Sequence, residues 1–133
     1  MKYKQREFLY MDREHQFSFG KAFIIQDNLA EVVVDAGVEF DMMLLNEYHS
    51  WLLNSLAAPF GLLINKKNKY TYTFEAQMNI ANLQEIKAMA VVSYDRITEH
   101  STNVLIQLPR KVEWNIRIFP DRELAIHWLQ EQL

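Results

Sequence analysis

The stretch Asn65-Lys66-Lys67-Asn68-Lys69-Tyr70-Thr71-Tyr72-Thr73 carries the densest set of side chains able to do chemistry, with three ammonium groups, two phenols and two hydroxyls. Lys66, Lys67 and Lys69 would draw an acidic partner and speed encounter at low salt. Tyr70 and Tyr72 offer rigid aromatic surface of the kind that anchors protein contacts. A phosphate on Thr71 or Thr73 would add about −1.5 to −2 charge beside those lysines, so both are phosphosites by position only. The plainer alternative is a solvated loop in which Thr73 caps the following helix.

Other chemistries find little support. The chain has no cysteine, which removes disulfides, thiolate metal sites and cysteine nucleophiles. His15, His49, His100 and His127 lack the i, i+4 spacing of a helical metal site, and no metal is expected. Gly20, Gly37 and Gly61 stand alone, so there is no phosphate-cradling loop and no dinucleotide fingerprint. No Gly-x-Ser-x-Gly elbow occurs, and nothing sets a base and an orienting acid beside a serine or threonine. Asp35, Glu39 and Asp41 offer oxygen ligands for a cation, although loop solubility and helix capping account for them better. The expectation is a protein without cofactor or catalytic constellation, hence not an enzyme.

Charge bears on partners. The formal net charge is −3 and the pI about 5.8, whereas duplex-binding domains present a strongly basic face. Basic residues gather only at Lys2, Lys4 and Arg6 and at Lys66, Lys67 and Lys69, so no nucleic-acid partner is expected. No apolar run reaches the ~20 residues of a membrane span. The amino terminus lacks the apolar core of a signal peptide, and a cytoplasmic location is expected.

The elements that must position these residues follow from periodicity. With 133 residues, 50% of them hydrophobic, the chain suits one domain with its own core. Residues 1–20 are the hardest part and are taken as an amino-terminal extension or extra strand. Phe23-Ile24-Ile25 and Leu29 to Val34, joined at Asp27-Asn28, form a hairpin pattern. Asp41 caps a helix whose stripe is Leu44, Leu45, Tyr48, Trp51, Leu52 and Leu56, ended by Pro59. Phe60–Ile64 and Ala88–Val92 are continuous apolar runs, the mark of strands covered on both faces. Phe74 to Leu83 reads as a helix with Phe74, Met78 and Ala81 inward. Ile97, Ser101, Val104, Leu105 and Leu108 mark another. Val112 to Ile118 alternates as a strand with one wet face. Asp121 caps a closing helix with Leu124, Ala125, Trp128 and Leu129 buried. This order predicts an α/β fold: a single-layer mixed, mostly parallel sheet packed with about four helices.

The closing stretch Arg117-Ile118-Phe119-Pro120-Asp121-Arg122-Glu123-Leu124-Ala125-Ile126-His127-Trp128-Leu129 resembles the end of the SpoIIAA-like branch of STAS domains, the sulphate-transporter and anti-sigma-factor-antagonist family. Both show a strand, a Phe, an acidic cap and an Ala-x-x-Trp-Leu helix. The element order from about Phe23 onward is similar too, over roughly four fifths of the chain. The resemblance implies a STAS-like (SpoIIAA-like) fold and a non-enzymatic regulatory module that binds proteins or small ligands. The family's phosphorylated Asp-Ser-x-Gly-like motif has no counterpart in Asn65–Phe74, where Thr71 and Thr73 are only positional stand-ins. The functional expectation is therefore a cytoplasmic interaction module whose surface for a protein partner, or for a second copy of the chain, includes Asn65–Thr73. The alternative is a domain that carries a small apolar or lipid-like ligand between sheet and helices.

Overall fold

The computed structural model describes residues 13–133. Lys2, Lys4 and Arg6, and the first part of the amino-terminal extension, lie outside the described residues. Strands β1 (Glu14–Phe17), β2 (Gly20–Gln26) and β3 (Leu29–Val34) form an antiparallel meander, and β3 is followed in the sheet by parallel β5 (Phe60–Asn65), β7 (Ile86–Val92) and β8 (Ile116–Phe119). The extra strand expected within residues 1–20 is β1. A second, two-stranded parallel ribbon joins β4 (Glu39–Phe40) to β6 (Thr71–Tyr72).

Each parallel strand lies beside its predecessor, so the sheet grows in one direction. Crossovers of a single hand then all fall on one face. The helices obey this: α1 (Met42–Ser55), α2 (Phe74–Asn79) and α3 (Arg96–Ile106) sit in the three crossovers, and their buried residues share one core with Val32, Leu62 and Met89. Only α4 (Arg122–Gln132) covers the opposite face, where Ala125 and Leu129 pack on Leu29, Leu63, Ala88, Ala90 and Val92. The small residues Gly61, Ala88 and Ala90 let α4 lie close. A Cβ at Gly61 would stand 3.4 Å from a methyl of Leu129.

Caps follow the sequence closely. Asp41, Thr73, Asp95 and Asp121 each accept amide hydrogens at a helix start, meeting the free donors there. Phe60–Ile64, Ala88–Val92 and the end of Val112–Ile118 are neighbouring strands in the order expected.

Four expectations are corrected. The helix placed over Phe74–Leu83 stops at Asn79, and its apolar first residue, Phe74, is 79% exposed. The chain leaves it through Ala81, which takes φ +58°, a conformation that cannot continue a right-handed helix. Strand β8 begins at Ile116, not Val112. Trp114 precedes it with its indole N–H donated to the Ala81 carbonyl at 3.1 Å. On α3, Ile97 and Val104 face outward, and Thr102 and Leu105 are the buried pair. On α4, Leu124 is exposed and Trp128 half-buried, because Ala125 and Leu129 occupy the line of closest approach to the sheet.

Candidate functional site

The helix-covered face of the sheet bounds a partly open cavity beneath α1, the β4–β6 ribbon and α3. Its floor is apolar: Val32 and Val34 from β3, Leu62 and Ile64 from β5, Met89 and Val91 from β7, and Ile116 from β8. About 40 Å³ of it is open to the centre of a water-sized sphere, room for roughly three waters at 10–15 Å³ apiece. That space suits a compact molecule and not a lipid chain.

Polar atoms enter the cavity at the carboxyl end of β5. Strand alternation puts Leu62, Ile64 and Lys66 on one face, and Lys66 N still bonds the Val92 carbonyl at 3.0 Å, extending the ladder one residue past the strand. Lys66 Nζ donates to Thr102 Oγ1 at 3.1 Å and lies 5.8 Å and 6.0 Å from the ring centres of Tyr70 and Tyr72. Thr102 spends its own hydrogen on the Thr98 carbonyl at 2.8 Å. Burial of the ammonium among these groups lowers the Lys66 pKa to about 8.

Tyr70 and Tyr72 reach the same space because they are two residues apart along an extended segment. The ribbon fixes that segment: Thr71 N and Thr73 N donate to the carbonyls of Val38 and Phe40, and Gly37 N to that of Lys69. The two phenol oxygens stand 3.4 Å apart. From α1, Tyr48 adds a third phenol whose oxygen is buried with no hydrogen-bond partner among the described residues. Burial raises the pKa of Tyr48, Tyr70 and Tyr72, so all three remain protonated donors. Arg110 braces one flank: its guanidinium lies 3.5 Å over the Trp114 ring and donates to the carbonyls of Leu105 and Ile80.

The segment singled out in the sequence is thus divided. Lys66, Tyr70 and Tyr72 turn into the cavity, whereas Lys67, Lys69 and Thr71 are exposed. Thr73 accepts the Ala76 amide at 3.2 Å and caps α2. Asn65 points to the opposite face and is buried, donating to Glu31 Oε2 at 2.9 Å and accepting from Tyr94 at 2.9 Å. Arg122 completes that cluster through Nε and Nη2 on Glu31 Oε1, at 3.0 and 2.7 Å.

The sequence pattern puts Tyr48 in a core stripe and Trp114 on the alternating strand, and does not single out Thr102 or Glu31. The alternation of Leu62, Ile64 and Lys66 was the available signal for an inward lysine. Of the histidines, His49 is engaged structurally, with Nε2 accepting the Ala81 amide at 3.1 Å. No group of His, Asp or Glu among the described residues has the geometry to hold a metal ion, and Asp41 serves as a cap. No described helix is long and apolar enough to cross a membrane. Comparison with protein-family models, with curated proteins and with solved structures yields no match.

Proposed function

We propose that this domain is a non-enzymatic binding module that holds a compact, mostly apolar molecule in the helix-side cavity. The observation carrying this reading is the Tyr48 hydroxyl, buried without a partner among the described residues at the wall of a mostly apolar space. A buried polar group left unbonded costs about 1–3 kcal/mol, and an occupant that accepts its hydrogen removes the cost. A STAS-like ancestry and a regulatory role belong to the same proposal. They are supported by the Ala125-x-x-Trp128-Leu129 ending and by a parallel sheet built in the expected element order.

The test is a search for bound or bindable molecules. Protein isolated without denaturation is examined by native mass spectrometry, and small apolar compounds are titrated while backbone amide resonances are followed. Shifts clustering at Tyr48, Leu62, Met89 and Thr102, and abolished by Ile116→Trp, which fills the cavity, support the reading. A fully folded protein whose ligands map elsewhere, or which binds none, refutes it.

A second reading, docking of a protein partner, is favoured by one observation: Phe74 is 79% exposed in the same segment as exposed Lys69 and Thr71. Tyr70 and Tyr72 do not serve that surface without leaving the cavity. The variant that tests it is therefore Lys67→Glu, Lys69→Glu and Phe74→Ala, with partner recovery as the readout. Undiminished recovery by a stably folded variant moves the docking surface elsewhere.

A further inference from the structure

We propose that the cavity takes a compact monocarboxylate, with its carboxylate at Lys66 and the tyrosine hydroxyls and its short apolar body over the sheet. This rests on the reading of the cavity as a ligand site, and it names the chemical class of the ligand.

The inventory of hydrogen-bonding groups carries the inference. Among the described residues, Lys66 is the only charged side chain lining the cavity, and the lining contains no carboxylate. The ion pairs found among the described residues do not include Lys66. One of its three N–H donors meets Thr102 Oγ1. Tyr48 has an unspent hydroxyl. Tyr70 and Tyr72 share a single contact, which uses one of their two hydrogens. The cluster is therefore rich in donors and carries an unbalanced positive charge.

A cation taken out of water is costly unless an opposite charge stands beside it. Among the described residues none stands beside Lys66, so the proposed ligand is its source. One cation matches a monoanion, and the two oxygens of a carboxylate accept from the ammonium and a phenol together. The floor of Leu62, Met89 and Ile116 offers nothing polar, which excludes a ligand that is charged throughout. The limited volume restricts the apolar body to a few carbons. The lowered Lys66 pKa gives a further consequence: the ammonium loses its proton as pH rises past about 8, and carboxylate affinity falls with it.

The experiment compares butyrate, butyramide, butylammonium and inorganic phosphate by amide-resonance titration of the full chain, near neutral pH and at constant ionic strength. Butyrate should bind about tenfold or more tightly than butyramide, as expected for a hydrogen bond to a charged group. Lys66→Met, which keeps the aliphatic stem, should reduce butyrate to the level of the amide and leave the amide unchanged. Tyr48→Phe removes one oxygen and should weaken butyrate severalfold, providing a second variant that disturbs packing little. Equal affinity for amide and carboxylate, or full butyrate affinity in Lys66→Met, overturns the carboxylate while leaving the cavity as a ligand site. Butylammonium preferred over butyrate, or phosphate bound as tightly as butyrate, overturns it as well. A folded protein that binds none of the four, and no other small apolar compound, overturns both readings.

Discussion

Acid should destabilise this domain through His49. The imidazole on α1 accepts the amide of Ala81 at Nε2, so the folded state requires that nitrogen to be unprotonated. Burial lowers the His49 pKa from 6.5 to about 4. A lowered folded-state pKa means that the unfolded chain binds the extra proton first as pH falls. The contribution is therefore complete above pH 6.5 and is lost as pH drops toward 4. At about 1.4 kcal/mol per unit, the full loss is about 3 kcal/mol, of which about 2 kcal/mol is gone by pH 5. That is a large part of the 5–15 kcal/mol typical of a domain. Urea melts between pH 7 and 4 measure it. The comparison is with His49→Gln, whose amide oxygen can take the Ala81 hydrogen without titrating. The wild type should lose about 2 kcal/mol more than the variant by pH 5. Parallel pH profiles for the two proteins, or an imidazole that titrates near 6.5 in the folded state by NMR, would refute the reasoning.

Four further substitutions, one of them in a double variant, have clear expectations. Arg122→Ala strips the guanidinium from Glu31, which is 4% exposed. Breaking a fully buried pair costs 3–5 kcal/mol, and the partial exposure of Arg122 reduces that to about 2–3 kcal/mol; a loss below about 1 kcal/mol in urea would deny Glu31 its buried charge. Adding Glu31→Gln to Arg122→Ala should recover part of the loss, because the uncompensated charge is gone. Gly20→Ala should cost at least about 2 kcal/mol by thermal melt, since Gly20 has φ +156° and an added Cβ would meet the Val33 carbonyl oxygen at 2.2 Å. Trp128→Ala should cost about 1–2 kcal/mol instead of the 3–5 of a fully buried aromatic, because the ring is half-buried against Phe119.

The sheet was legible because its signals are local. Continuous apolar runs mark β5 and β7, alternation marks β8, and Asp41, Thr73 and Asp121 mark three of the four caps, Asp95 being the one not singled out. What the sequence concealed was decided by tertiary geometry. Phe74 looked like the start of a buried helical face, yet it follows the Thr73 cap and projects outward, and Ala81 ends the segment in a conformation that periodicity cannot forecast. The candidate site was half legible. Composition picks out Asn65–Thr73, but as one exposed surface for a partner or, more plainly, a solvated loop. Pairing of β6 with β4 instead turns Tyr70 and Tyr72 inward, and that pairing joins residues more than thirty positions apart in the chain. Glu31 lay hidden for a similar reason, because its partner is 91 residues away.

Two charges placed by strand alternation invite direct comparison: Glu31 is buried and Lys66 half-buried. Glu31 on β3 and Lys66 at the end of β5 lie on opposite faces of the same sheet. Glu31 is answered on both oxygens, by Arg122 on one and Asn65 on the other, and Asn65 is itself satisfied by Tyr94. Such closure is what a buried charge needs if its role is to fix packing. Lys66 has one hydroxyl oxygen and the faces of two tyrosine rings, which attract a cation but carry no counter-charge. Both positions would have been as easily filled by an apolar residue continuing the strand pattern. A cation kept there without a counter-charge lowers stability and offers no compensating network. Its retention is accounted for if the missing acceptor arrives with a ligand. The same sheet thus presents one face whose buried charge is closed by its own partners and another, at the residue after β5, whose cation has no counter-charge among the described residues.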